Sequence, residues 1–314
     1  MVGLGKNKSV VTSQIEQLIK VLNDVVLDKE NEIKLTVVCI LAQGHLLIED
    51  VPGVGKTTLV LSIGKLLGLD TKRIQFTVDL LPADILGGNI YNPKKQEFDF
   101  FKGPLFSELV LADELNRASP RTQSALLQAM EEGEVSIDGV TYRLPEPFMV
   151  IATQNPHHNM GTFQLPESQL DRFLMSLELK YASQKTEVEI FQNPDRKVVI
   201  KGLNALFDKN SLSEVQKSIE KVKVSKIVAE YVGRLLERSR TSAEYANALS
   251  TRAGLALVKA AKAWAFLSGR DFLKPEDIQS ILIPVLAHRL GGFDGIRKGK
   301  ELANAIKSQT EVPI

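Results

Sequence analysis

Residues 52–58 read Pro-Gly-Val-Gly-Lys-Thr-Thr, a run whose residue types suit a polyanion. Gly53 and Gly55 let successive backbone N–H groups turn inward, and a helix starting here adds the positive end of its dipole. Lys56 is placed to reach β- and γ-phosphates, and the Thr57 hydroxyl to bind Mg²⁺. Pro52, Val54 and Thr58 complete the candidate cofactor contacts. The strict phosphate-loop pattern has Gly where this chain has Asp50. The strand-like HLLIE before the run and the helical TTLVLSIGKLLG after it supply the required strand–loop–helix context. A glycine-rich turn at a helix start is the plain alternative.

A second constellation follows in ELVLADELNRA. Adjacent carboxylates are usually solvated surface, but here an apolar run precedes them. It reads as a buried strand emptying into a crevice at its C-terminal end. Asp113 then lies beside the metal, and Glu114 can orient or deprotonate an attacking water. Thr57 and Asp113 are the candidate metal ligands. Both halves together predict nucleotide binding, with ATP favoured over GTP because no Asn-Lys-x-Asp segment is present.

The elements that would carry these residues are legible as apolar runs. HLLIE, RIQFTV, ELVLAD, FMVIAT and FLMSLEL are short and nearly apolar throughout, which predicts a parallel sheet covered on both faces. GEVSIDGVTYRLPEP alternates in period two around Asp138-Gly139 and predicts a hairpin with a type I′ turn. After about Lys180 the spacing changes to threes and fours, in SQKTEVEIF, SLSEVQKSIE, SKIVAEYVGRLLERSR, STRAGLALVKAAKAWAFL and KPEDIQSILIPVLAHRL. Several of these begin with Ser, and Pro275 suits a first helical position, so the second half is mostly helical.

The 314 residues suggest about two domains. Thirty-nine Lys+Arg against 38 Asp+Glu leave a formal charge of +1, so bulk charge gives no reason to expect nucleic acid or an anionic membrane. The single cysteine, Cys39, rules out a disulfide within the chain and reads as a buried small apolar residue. The N-terminus lacks a signal-peptide core, and no window holds the ~18 apolar residues of a spanning helix. A cytoplasmic location is the expectation.

Five blocks in order, EDVPGVGKTT, IQFTVDLLPADILG, LADELNRASPRTQSALLQAMEEGEVSIDG, IATQNP and LPESQLDRF, resemble the MoxR group of AAA+ ATPases. The resemblance runs from about Asn31 to about Leu290. It implies an α/β fold: an AAA+ phosphate-loop core, its parallel sheet sandwiched by helices, followed by an all-helical lid domain. The core is expected over residues 1–181, with the helix 2 insertion at about 76–100 and a pre-sensor hairpin at about 133–147. The lid is expected over 182–314.

By the same resemblance Asn155, at the end of a strand, is the first sensor of the attacking water or γ-phosphate; an Asn-Pro turn is the local alternative. Arg172 in LDRF is the arginine finger given to the neighbouring subunit, against a surface pair with Asp171 or Glu167. Arg117 is a rival for that role. Arg252 falls in the first turn of a helix capped by Ser250 or Thr251, where the dipole disfavours a cation and a nearby anion would offset it. It suits the second sensor, touching ATP from the lid; an exposed Arg is the alternative. The chain departs from the family with Thr251 and Val78 in place of Pro, and with Asp28 near a usual Gly beside the adenine. His157, His158 and His288 fit no metal site.

The resemblance implies a Mg²⁺-dependent ATP hydrolase working as a ring, most simply a homo-hexamer. It would remodel or help assemble a protein client with a separate von Willebrand factor A-type adaptor. The ATPase subunit of a metal chelatase shares these insertions and is the alternative. A nucleic-acid motor fits less well, given the charge balance and the lack of a DNA-reading extension. A scaffold without turnover would need neither Glu114 nor Arg172.

Overall fold

The computed structural model describes residues 3–50, 53–155, 161–192 and 196–313; Pro52, His157 and His158 lie outside them. The chain opens with α1 (Gly3–Val25), α2 (Glu30–Leu41), β1 (Leu46–Asp50), α3 (Lys56–Leu66), β2 (Thr71–Gln75) and α4 (Pro82–Leu86). A hairpin of β3 (Gly87–Asn92) and β4 (Glu97–Lys102) leads to β5 (Leu109–Asp113) and α5 (Pro120–Glu132). Next come β6 (Glu134–Ile137), β7 (Val140–Arg143), β8 (Met149–Gln154), α6 (Glu167–Leu170) and β9 (Met175–Leu179). Helices follow: α7 (Gln184–Gln192), α8 (Arg196–Lys201), α9 (Lys209–Glu220), α10 (Lys226–Thr241), α11 (Thr251–Leu267), α12 (Pro275–Gly291) and α13 (Gly295–Gln309).

The five apolar runs form one parallel sheet in the order β2-β5-β8-β1-β9. Successive side chains on a strand point to opposite faces; on β1, β5 and β8 both faces are apolar, whereas the edge strand β2 (Thr71–Gln75) buries only Ile74. Leu46 and Ile48 of β1, Leu109 and Leu111 of β5, and Met149 and Ile151 of β8 enter one core with α1, α2, α3 and the C-terminal helices. Leu47, Val110, Ala112, Val150 and Ala152 enter the other, under α5. Cys39 is fully buried, and burial pushes its thiol up to about 12, so it behaves as an apolar residue.

Asp138 and Gly139 have φ of 50° and 82°, the left-handed pair that a type I′ turn requires between β6 and β7. The stretch expected as the helix 2 insertion, about 76–100, holds α4 and most of the β3–β4 hairpin, which the sequence pattern did not announce and which runs on to Lys102. This hairpin touches the one formed by β6 and β7. Phe100 stacks on Tyr142 with ring centroids 4.0 Å apart, and Asn89 donates to Asp138 Oδ2 at 2.6 Å.

Ser225 and Ser250 cap α10 and α11, and Pro275 opens α12. These helices do not stand apart from the sheet: α12 packs along β9, and α11 and α9 along α2. No helix among the described residues is long and apolar enough to cross a membrane.

Two histidines serve as buried connectors. Val150 donates its N–H to His45 Nδ1 at 3.0 Å, which leaves Nε2 to donate to the Met130 carbonyl at 3.0 Å. His288 lies between Ser176 Oγ and the Phe173 carbonyl at 3.0 and 3.1 Å. Burial pushes His45 down to about 4, and burial followed by the Arg289 charge drives His288 well below its usual 6.5. Below pH 6.5 the unfolded chain therefore takes up protons that the folded chain refuses. Stability should fall as pH drops from about 6.5 toward 4, by up to about 1.4 kcal/mol per pH unit for each histidine. Glu49, whose carboxyl burial raises, works in the opposite sense and offsets part of one. Urea midpoints at pH 7, 6 and 5 check this; a midpoint unchanged over that range would contradict it.

Candidate active site at the carboxyl ends of the sheet

The phosphate run lies where β1 empties into α3. Gly53 and Gly55 have φ of 88° and 94°, and Gly55 is the N-cap of α3. A Cβ at Gly53 would meet nothing within 4 Å, and one at Gly55 only Val26 Cγ1 at 4.0 Å. Glycine is thus required by backbone conformation, while the space before the loop is open for a ligand. Lys56 and Thr57 occupy the first turn of α3, where unpaired N–H groups and the dipole favour an anion.

Asp113 ends β5 and is buried. Its Oδ1 accepts the Thr153 hydroxyl at 2.7 Å and stands 3.9 Å from Lys56 Nζ. Its Oδ2 accepts from Arg73 Nη2 at 2.7 Å and Nε at 3.2 Å. Glu114 takes a left-handed φ of 57°, unfavourable for a residue with a Cβ and typical of functional positions. Its N–H donates to the same Thr153 hydroxyl at 2.9 Å, which turns the glutamate out of the strand line. Gln75 Nε2 and Arg117 Nη1 then hold Glu114 Oε2 at 2.9 and 3.0 Å. Arg117 therefore serves the glutamate of its own chain.

Asn155 follows β8, the strand paired with β5, and its carbonyl accepts from Asn116 Nδ2 at 3.2 Å. The donor set of Thr57 hydroxyl and Asp113 carboxylate consists of hard oxygens suited to Mg²⁺. Lys56 and Arg73 bring two positive charges up to this buried carboxylate. Among the described residues no group of three His, Cys, Asp or Glu side chains could hold a metal alone, so phosphate oxygens and water would complete its shell.

A cavity of about 290 Å³ adjoins the loop, lined by Val26, Leu27, Val54, Thr58, Tyr181 and Ile190 among others. Asp28, with a left-handed φ of 59°, accepts the Ser183 N–H at 2.7 Å and so fixes the α1–α2 turn against the start of α7. That bond gives Asp28 a use near the place where a Gly is expected.

Arg172 and Arg252 are brought together, but elsewhere. β1 and β9 run parallel, Leu46 beside Met175 and Asp50 beside Leu179. The phosphate loop follows the carboxyl end of β1, whereas Arg172 precedes the amino end of β9. Five residues of strand separate the two ends, roughly 15 Å. Arg172 Nε stands 2.9 Å from Glu131 Oε2, and Arg252 pairs with Oε1 of the same carboxylate. Asp171 is taken by Arg289 at 2.6 Å and by the Ser250 hydroxyl at 3.1 Å, so the surface pair with Asp171 does not form. Arg252, expected to touch ATP from the lid, stands beside Arg172 and away from the phosphate loop of its own chain. Its helix is tied through Ser250 to Asp171, at the opposite end of the strands, and the anion that offsets its place in a first turn is Glu131.

This chain matches the sequence profile of the ATPase family associated with various cellular activities over residues 45–175, and that of the AAA lid domain over 237–308. It is 36% identical to Chaperone MoxR1 of Mycobacterium tuberculosis, covering 88% of this chain and 75% of that one. The chain belongs to the MoxR family of AAA+ ATPases. It is also 42% identical to the uncharacterized protein YeaC of Bacillus subtilis over 93% of each chain. A crystal structure of a candidate ATPase from Cytophaga hutchinsonii matches with a TM-score of 0.88 at 35% identity, covering 100% of this chain and 99% of that one. In this MoxR-family chain the sequence motifs alone did not single out Arg73, Gln75, Thr153 or Glu131. A charged residue in the strand run RIQFTV and a hydroxyl in FMVIAT were the available signals for the first and third.

Proposed function

We propose that this MoxR-family ATPase hydrolyses ATP with Mg²⁺ at sites completed between neighbouring subunits of a ring, most simply a homo-hexamer. The observation that carries the reading is the separation of the phosphate loop from the Arg172–Arg252 pair at opposite ends of the sheet. In this arrangement the pair stands away from its own subunit's phosphate loop, which supports a use toward a neighbour.

Within one chain, Lys56 and the N–H groups of the loop bind the phosphates. Thr57 and Asp113 would hold Mg²⁺, which when bound neutralises phosphate charge. Glu114, aimed by Thr153 and Gln75, accepts a proton from the attacking water, and Asn155 orients that water. The cavity between the α1–α2 turn and α7 has the size and apolar lining to take the base. Ile90, Tyr91, Phe98 and Phe101 of the β3–β4 hairpin are exposed. An apolar surface of this kind supports a protein client, remodelled or assembled with a separate von Willebrand factor A-type adaptor.

The test is the hydrolysis rate per subunit against protein concentration with Mg²⁺ present. The rate should climb and then saturate as subunits assemble. A rate that stays flat across a range in which sedimentation shows monomers becoming rings would overturn the shared site.

A further inference from the structure

Arg172, Arg252, Lys259 and Arg289 line a second cavity of about 290 Å³ together with Glu131 and Asp171. Asp171 is already committed to Arg289 and Ser250. Glu131 alone is left to face both Arg172 and Arg252. It does not hold them equally. Arg252 donates a hydrogen bond to Oε1, whereas the Nε of Arg172 is buried 2.9 Å from Oε2 without the alignment of a hydrogen bond.

The placement of the charges is unusual. Glu131 lies in the last turn of α5, where the helix dipole disfavours an anion, and Arg252 in the first turn of α11, where it disfavours a cation. Each stands at the wrong end of its own helix, and each relieves the other. Arg252, and with it the charge of Arg172, holds the Glu131 carboxyl below its usual range. Without that carboxylate two guanidinium groups would face one another across the cavity and repel.

We propose that Glu131 is a positioning residue for the pair of arginines that one subunit offers to the next. It cancels the repulsion between Arg172 and Arg252 and fixes Arg252 by a hydrogen bond. Arg172 is held by charge alone and remains able to turn outward to a neighbour's terminal phosphate. Glu131 itself touches no nucleotide. The proposal rests on the reading that Arg172 acts across the subunit boundary.

The test mixes wild-type protein with an excess of Lys56→Ala subunits, whose own sites are dead but whose arginines serve wild-type neighbours. Adding Glu131→Ala to these carriers should lower kcat at the wild-type sites by on the order of 10- to 100-fold, the cost of misplacing a group by about 1 Å. KM for ATP should move less than about twofold, and Glu131→Asp carriers should recover part of the loss. Arg172→Ala carriers are the reference. If they fail while Glu131→Ala carriers serve as well as plain ones or better, the role of Glu131 is overturned and the shared site stands. If Arg172→Ala carriers serve fully, the shared site itself is wrong. A loss of rate that tracks loss of the ring in sedimentation would make Glu131 merely structural and would equally overturn the proposal.

Discussion

Lys56→Ala and Arg172→Ala subunits, each nearly inactive alone, should regain ATP hydrolysis when mixed. The first lacks the ammonium that grips the phosphates but still carries its arginine. The second keeps an intact phosphate loop, with Asp113 and Glu114 held by Thr153, but no longer offers Arg172 to its neighbour. Alone, Arg172→Ala should lose on the order of 10³–10⁵ in rate, as other nucleotide hydrolases do without their finger. In a random one-to-one mixture, roughly one boundary in four joins an intact loop to an intact arginine in a head-to-tail ring. About a quarter of the wild-type rate should therefore return. Steady-state phosphate release from the mixture is the measurement. A mixture as silent as its components would mean that the two residues do not meet across a boundary.

Glu114→Gln should separate binding from chemistry. Glutamine retains the shape of the side chain and can still accept one of the bonds from Gln75 or Arg117, so the left-handed turn held by Thr153 should persist. What is lost is the ability to take a proton from water, a contribution of about 10²–10⁴ in rate. Single-turnover hydrolysis should slow by that factor, while a fluorescent ATP analogue titrates with nearly unchanged affinity. Hydrolysis within a few-fold of wild type would remove Glu114 from its role as base.

Much of this arrangement could be read from the chain because it is local in sequence. Four of the five strands are short and mostly buried, the edge strand β2 sending only Ile74 into a core; the Ser caps and Pro275 mark helix starts, and the phosphate run sits between a strand and a helix. The β3–β4 hairpin was not legible, because its exposed faces carry Tyr91, Phe98 and Phe101 rather than polar residues and period two is lost. Residues that act through long-range pairing were also silent. Arg73 meets Asp113 only because β2 lies beside β5, and Thr153 reaches Asp113 and Glu114 only because β8 lies beside β5. The place of Arg252 at a helix start is something local sequence does reveal. The direction in which that start faces depends on Ser250 meeting Asp171 and on α12 lying along β9. Neither can be seen from a spacing.

On the proposed shared site, the distance between the phosphate loop and the Arg172–Arg252 pair gives each subunit a hook at one end and an eye at the other. Contacts made this way are heterologous, and whether they close into a circle is decided by the rotation between neighbours. An arc of any length always keeps one hook and one eye idle at its two tips. Joining the tips brings the last pair into use without adding a subunit. On that reading circle closure would itself be an activating event, and a partner that wedged the seam open would silence one site while leaving the others untouched.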